Sequence, residues 1–217
     1  MSTENDKTVK TYEKTAQTYL DNTIAHDAMR PEHAQEKRAK LAEKIRLAFD
    51  SLPSGAKVLE IGSADGDNAK ILESLGYNVT ASDVAPAFIA ACKKQGLNTI
   101  KFNVLKDDFP KDLMGILCWR VFVHFTREDI ALALKRIHDT LQPGGRLMFN
   151  VIDRATHDCD AEMKDFEGEY HMGAERYYAY YRKDEIEKII AENGFKIVRD
   201  WHENGGHNDW FCFVLEK

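Results

Sequence analysis

From residue 8 to residue 20 the apolar side chains Val9, Tyr12, Ala16, Tyr19 and Leu20 recur at helical spacing. Pro31 opens a second helical stretch, from Glu32 to about Ser51. Its apolar face holds Ala34, Leu41, Ile45, Ala48 and Phe49, with Lys and Arg on the other side. Leu52-Pro53-Ser54-Gly55 breaks the pattern. Val58, Leu59 and Ile61 then form a short continuous apolar run, as in a strand buried on both faces. Gly62 and Gly66 follow. Asp67 and Asn68 are candidate N-caps for an amphipathic run through Ile71, Leu72 and Leu75, and Gly76 stands where its C-cap falls.

The alternation of strand and helix continues. Tyr77–Asp83 predicts a second strand, Pro86 to about Gln95 a helix, Asn98–Phe102 a third strand and Gly115–Trp119 a fourth. Thr126 caps a helix whose buried stripe is Ile130, Ala133, Leu134, Ile137 and Leu141, with Asp129 completing a variant capping box. Gln142-Pro143-Gly144-Gly145 turns into a fifth strand, Leu147–Ile152. A last helix begins at Asp184 and stops at Asn193-Gly194. Phe195–Trp201 and Trp210–Glu216 form a terminal hairpin around a solvated turn that carries His202 and His207. Between Asp153 and Arg182 lies a long segment rich in aromatic residues and histidine, including His157, Phe166, Tyr170, Tyr177, Tyr178, Tyr180 and Tyr181. A segment of that length is expected to act as a lid or binding element, with some of its tyrosines packed as a strand edge. The expected organisation is one domain over 1–217, with an N-terminal helical cap at 1–52 and a lid-like insertion at 153–182.

Composition adds bounds. Hydrophobic residues make up 43% and charged residues 30% of the 217, as in a soluble globular domain. The formal net charge of −6 argues against nucleic acid as a partner, since phosphate contacts need clustered Lys and Arg. The four cysteines are scattered without a C-x-x-C pair, which suits a reduced, cytoplasmic setting. No signal peptide and no apolar run of the ~20 residues of a membrane span is visible. His157 and Asp160 are too few to make a metal site, so no metal is expected.

The turn after the first strand carries the chemistry. Its spacing does not fit the dinucleotide fingerprint, because Ala64 and Asp67 stand where glycines are required. Glu60, Asp65 and Asp67 crowd the turn with negative charge, which suits a cationic ligand better than a diphosphate. Asp83 lies 21 positions after Gly62, at the end of the second strand, where an acid can accept hydrogen bonds from ribose hydroxyls. The stretch Glu60-Ile61-Gly62-Ser63-Ala64-Asp65-Gly66 resembles the E/D-x-G-x-G-x-G motif of class I S-adenosylmethionine-dependent methyltransferases, with Ala64 in place of the middle glycine. Leu141-Gln142-Pro143-Gly144-Gly145, Val121-Phe122-Val123-His124 and Tyr12-x-x-x-Ala16-x-x-Tyr19 resemble further patterns of small-molecule members of that family.

The resemblance implies a Rossmann-like α/β fold: a doubly wound, seven-stranded mixed sheet with an antiparallel C-terminal hairpin and an N-terminal helical cap. It implies S-adenosylmethionine as cofactor and S-adenosylhomocysteine as product. The implied cofactor residues are Glu60, Gly62, Ser63, Ala64, Gly66, Asp83, Val84, Asn103, Val104, Cys118 and Trp119. Tyr12, Tyr19, Arg120, His157 and Tyr177 are candidates for the acceptor side. His124 is the candidate general base, on the ground that imidazole titrates near neutrality; packing or a cofactor contact are its alternatives. The expected reaction is methyl transfer to an O or N atom of a small molecule. The alternatives are a non-catalytic nucleotide-binding module and an RNA or protein acceptor.

Overall fold

The computed structural model describes residues 2–165, 171–205 and 208–217. Phe166, Tyr170 and His207, singled out above, lie outside the described residues. Two helices, α1 (Thr3–Met29) and α2 (Pro31–Phe49), precede the sheet. Then come β1 (Lys57–Ile61), α3 (Asp67–Ser74), β2 (Asn78–Asp83), α4 (Pro86–Lys94), β3 (Thr99–Lys101), β4 (Gly115–Cys118), α5 (Arg127–Thr140) and β5 (Arg146–Asp153). The chain continues with β6 (Ala161–Lys164), β7 (Arg176–Tyr181), α6 (Lys183–Glu192), β8 (Lys196–Asn204) and β9 (Asp209–Glu216).

β1 pairs in parallel with β2 on one side and β4 on the other, β3 extends beyond β2, and β5 lies beside β4. β9 runs antiparallel along β5 over Arg146–Ile152, and β8 pairs with β9. These seven strands form the doubly wound mixed sheet that the resemblance implies. The direction of winding reverses between β1 and β4, the switch point at which such sheets bind ligands.

The strand period sorts side chains between two layers. Leu59 and Ile61 of β1 join Phe149 and Val151 of β5 and the stripes of α5 and α6 in one buried cluster. Val58 joins Ile45, Ala48 and Phe49 of α2, with Ala69 and Leu72 of α3, on the other face. Burial of these side chains on both faces explains why the β1 run is continuously apolar save for Glu60.

Described parts of the segment at 153–182 are strands. β6 and β7 form an antiparallel pair, and β7 joins the end of β5 through Ile152–Tyr180 and Asp153–Tyr181. Tyr180 and Tyr181 are fully buried, and the Tyr181 hydroxyl donates to the Phe125 carbonyl. The sheet therefore has nine strands among the described residues rather than seven.

Helix α1 runs well past the apolar spacing that announces it. Tertiary contacts hold it across the C-terminal edge of the sheet. Thr8 Oγ1 accepts from the Tyr177 N–H, Thr11 Oγ1 donates to the Glu175 carbonyl, and Asn22 donates to the His171 carbonyl. Ala16 and Leu20 pack on Ala85 and Phe88 of the α4 region. At its start, the Ser2 N–H and hydroxyl donate to the Asp129 carboxylate, the hydroxyl at 2.6 Å. The capping box expected at Thr126 and Asp129 is half present: Thr126 accepts from the Asp129 N–H, while the Asp129 carboxylate turns to Ser2. Asp129→Ala should lower stability by about 1–2 kcal/mol and speed tryptic cleavage at Lys7 and Lys10, read by urea titration and limited proteolysis; unchanged cleavage would mean that α1 is held without this contact.

Candidate functional site

A cavity of about 390 Å³ opens over the C-terminal ends of β1, β2 and β4. Its floor is the turn Gly62–Asp67, with Asp83, Val84, Phe102, Asn103 and Val104 along one side and Trp119, Arg120 and Val121 along another. Tyr12 and Tyr19 of α1 and Lys37, Arg38, Leu41 and Lys44 of α2 roof it. At its mouth Arg38 bridges Asp27 at 2.8 Å and Asp67 at 2.6 Å, joining α1, α2 and α3. Lys44 pairs with Glu203 of β8.

The turn is built on unusual backbone. Gly62 has φ +75°, and a Cβ there would stand 2.4 Å from a Val121 methyl, so the turns after β1 and β4 can meet only with glycine at this point. Gly66 is left-handed as well (φ 91°) and is the N-cap of α3, in place of the Asp67 or Asn68 cap that the sequence suggests. Ala64 adopts φ 46°. The position where the family motif has its middle glycine thus keeps a left-handed backbone and carries the strain of a methyl group. Arg120 is also left-handed, at φ 60°, and its N–H donates to the buried Asn150 side chain at 2.7 Å.

Asp83 joins two of these turns. Its Oδ2 accepts from the Ala64 N–H at 3.2 Å, and its Oδ1 accepts from the Ala85 N–H at 3.0 Å. Burial still pushes its carboxyl up to about 6, with these N–H groups opposing the rise. Glu60 is more deeply buried. Desolvation raises it to about 7; the polar side chains of Ser63 and Asn68 temper the rise, and the charges of Asp65 and Asp83 add to it. Neither Glu60 carboxylate oxygen has a hydrogen-bond partner within normal geometry. Asp83 at the cavity wall, with the Glu60 carboxyl buried behind the turn, favours a ligand that brings positive charge and N–H or O–H groups.

A second cavity of about 100 Å³ adjoins the first and shares Tyr12, Tyr19, Arg120 and His124 with it. Ile152, Arg176, Tyr178 and Trp210 complete its wall with Val123, Gly205 and Asn208. His124 Nδ1 stands 2.7 Å from the Tyr177 carbonyl, which can only accept, so the ring carries its hydrogen on Nδ1. Nε2 then accepts from the Tyr12 hydroxyl at 2.9 Å. Burial pulls the imidazole down to about 3, and the nearby Arg176 charge adds to the effect. Burial beside a cation therefore disfavours the imidazolium form on which its candidacy as a base rested.

The structure brings most of the predicted residues together. Gly62, Ser63, Ala64, Asp83, Val84, Asn103, Val104 and Trp119 line the larger cavity, and Tyr12, Tyr19 and Arg120 line both. Asn103 spends part of its acceptor capacity locally, on the Leu105 N–H. Glu60, Gly66 and Cys118 lie behind the wall. Two acceptor-side candidates fall elsewhere. His157 stacks on Tyr180 at 3.6 Å between centroids, outside both cavities, and Tyr177 reaches the site only through its backbone carbonyl. Phe88, Arg176 and Trp210 escaped the sequence reading. Arg176 had a signal: the strand period of Arg176–Tyr181 puts it on the same face as Tyr178.

The chain belongs to the methyltransferase domain family, whose model matches residues 32–200. A ubiquinone biosynthesis O-methyltransferase of Xylella fastidiosa is 29% identical over 133 residues, 56% of this chain and 53% of that protein. The chain thus matches about half the length of such relatives. The structure resembles magnesium protoporphyrin IX methyltransferase from Synechocystis PCC 6803 with bound S-adenosylmethionine (TM-score 0.73, 13% identity, 100% of this chain and 98% of that one). It also resembles 1,6-didemethyltoxoflavin-N1-methyltransferase of Burkholderia thailandensis with bound S-adenosylhomocysteine (TM-score 0.62, 21% identity, 95% and 89% covered).

The turn geometry predicts opposite effects at two neighbouring positions. Ala64→Gly should raise stability by up to about 1 kcal/mol by releasing left-handed strain. Gly62→Ala should lower it by about 2 kcal/mol or more, with partial recovery when Val121→Ala is added. Urea midpoints of the three variants check this; a stabilising Gly62→Ala would contradict the packing described.

Proposed function

We propose that this protein transfers the methyl group of S-adenosylmethionine to an oxygen or nitrogen of a small molecule. The observation that carries this reading is the joined pair of chambers: one with an acidic floor over the switch point of the sheet and a smaller aromatic one beside it, with Tyr12, Tyr19, Arg120 and His124 at the junction. The residues of the larger chamber fit the cofactor. The acidic turn at Asp65 and Asp67, with the Glu60 charge buried behind it, suits its cationic amino-acid end, close to Trp119 after the end of β4. Asp83 suits the ribose hydroxyls, and Val84, Asn103 and Val104 suit the adenine. When bound, S-adenosylmethionine supplies a methyl group already activated on a sulfonium.

The chain's part is then alignment and the exclusion of water, worth on the order of 7–11 kcal/mol where orientation is good. Helices α1 and α2 cover the larger chamber, and Tyr12 and Tyr19 face the boundary between the two. His124 holds the Tyr12 hydroxyl through a neutral ring and acts as a positioning residue rather than one that cycles through imidazolium. The relatives' names include both O- and N-methylation, so the acceptor atom is left as oxygen or nitrogen.

Calorimetry with S-adenosylmethionine and S-adenosylhomocysteine tests the reading. Micromolar-range binding, about 8 kcal/mol, is expected, and no binding of either would overturn it. Asp83→Asn keeps an acceptor for one backbone amide but removes the charge, and should weaken both ligands about ten-fold or more; unchanged affinity would remove Asp83 from the ribose.

A pH dependence follows from the same carboxylates. Glu60 and Asp83 titrate at about 7 and about 6 in the empty site, above the ordinary values of 4.5 and 3.8. A cationic ligand favours their ionised forms, so binding releases protons. Affinity for S-adenosylmethionine should rise with pH between about 5 and 8 and then level off. The empty protein binds more protons at these groups than the unfolded chain does, so their contribution to its stability should fall as pH rises through the same carboxylate values. Titrations in buffers of different ionisation enthalpy check the proton release; uptake instead of release would reverse the assignment.

A further inference from the structure

One wall of the larger cavity is the first half of α1, packed across the exit of β3. Two ion pairs fix its place there. Asp6 meets Lys106, two residues beyond Val104, at 3.3 Å, and Glu13 meets Lys101 at the end of β3 at 3.2 Å. Asn5, Thr8, Tyr12, Asn103 and His124 are the polar residues that line the cavity along this wall. Four of them have an acceptor engaged within the chain: Thr8 Oγ1 accepts from the Tyr177 N–H, the Tyr12 hydroxyl from Arg176, His124 Nε2 from the Tyr12 hydroxyl and Asn103 Oδ1 from the Leu105 N–H. Asn5 is the exception. It is 3% exposed, and its Oδ1 has no hydrogen-bond partner among the described residues. A buried amide oxygen without a donor is unfavourable in the empty protein. The helix cap does not need the side chain, because Ser2 Oγ accepts from the Asn5 backbone N–H, which any residue but proline supplies. Alanine at this position would favour the helix more and bury no polar group, so the fold alone does not call for the amide.

The same end of the cavity holds Val84, Asn103 and Val104, which suit the adenine. Adenine presents a donor, its 6-amino group, beside a ring-nitrogen acceptor. A carboxamide presents an acceptor beside a donor, so the two groups pair through two hydrogen bonds. A half-turn about the last side-chain bond exchanges the amide oxygen and nitrogen, so either can be set toward the amino group. Asn103 has the same side chain, but its Oδ1 and N–H are held in a local turn by Leu105 and Asp107. We infer that Asn5 of α1 reads the purine base of the cofactor: its carboxamide accepts from the 6-amino group of the adenine and donates to the neighbouring ring nitrogen. This inference rests on the larger chamber being the cofactor site. It gives α1 a part in cofactor recognition as well as in covering the cavity.

The test titrates the full chain with S-adenosylhomocysteine and with its analogue that carries hydrogen in place of the 6-amino group. The wild-type protein should prefer the amino-bearing ligand about ten-fold or more. In Asn5→Ala that preference should fall several-fold toward unity, chiefly through weaker binding of S-adenosylhomocysteine, while the thermal midpoint of the empty protein stays the same or rises. Asn5→Asp keeps an acceptor and suits the first turn of a helix, so it should retain the preference. Asn5→Ser is too short to reach the base and should behave as Asn5→Ala does, which keeps the test decisive if the alanine variant fails to fold. Equal binding of the two ligands to the wild-type protein, or a preference that survives Asn5→Ala and Asn5→Ser, would overturn the assignment. An equal loss of both ligands in those variants would overturn it too, because that is the mark of a purely structural role. Failure of S-adenosylhomocysteine itself to bind would instead overturn the cofactor reading, and this inference with it.

Discussion

The site depends on one buried carboxylate that ties together the turns at the sheet edge. Asp83 sits at the end of β2 and accepts hydrogen bonds from the turn after β1, at Ala64, and from the start of α4, at Ala85. The Gly62 and Ser63 N–H groups both donate to the Ser82 carbonyl at 2.9 Å, and Ser63 Oγ accepts from the Ser82 N–H. These bonds hold the β1 turn flat against β2, which leaves the C-terminal edge of the sheet open as a floor. The same carboxylate faces the cavity. A residue that fixes the floor and also faces the cavity couples the stability of the turn to the charge beside it, because a buried carboxylate is costly alone and becomes favourable beside a cation.

Strain is placed around that floor rather than spread through the fold. Ala64 and Arg120 are two of three non-glycine residues with positive φ among the described residues, and both border the larger cavity. Gly62 allows the turn after β4 to close on it through Val121. Packing of β1, β4 and β5 in a layered core supplies the rigidity against which these conformations are held.

Much of this was legible in the chain. The strands of the parallel sheet show as apolar runs because both of their faces are buried, and α5 shows as a stripe because one of its faces is. The acidic turn and Asp83 were legible because spacing within a strand–turn–helix unit is set by local geometry. Other features depend on contacts that local pattern does not encode. Helix α1 extends to Met29 through a polar stretch because Asn22 and Asp27 find partners on β7's approach and on α2. The pairing of β6 with β7 was hidden because Tyr178, Tyr180 and Tyr181 are buried from both faces, which erases the alternation of a half-exposed strand. His124 is a candidate base because its ordinary titration is near neutral; only the structure reveals its burial beside Arg176 and a tautomer set by the Tyr177 carbonyl. Arg176 itself runs against the rule that arginines stay at the surface, so composition offers no reason to look for it in the interior.

These features lead to a division of labour within the chain. The sheet edge and its turns form the acidic floor of the larger chamber, and their sequence carries the family pattern. The smaller chamber is made from elements added to that sheet: α1 before it, β7 inserted after β5, and the start of β9. Thr8 and Thr11 join α1 to β7 by two hydrogen bonds, and Tyr12, one turn further on, meets both His124 and Arg176. Position along α1 is thereby linked to the wall that would recognise the acceptor. The turn at Gly62 and Asp83 is set by local strand–turn geometry and is therefore readable from motifs, while the smaller chamber is set by contacts between α1 and the β7 region and has to be read from packing.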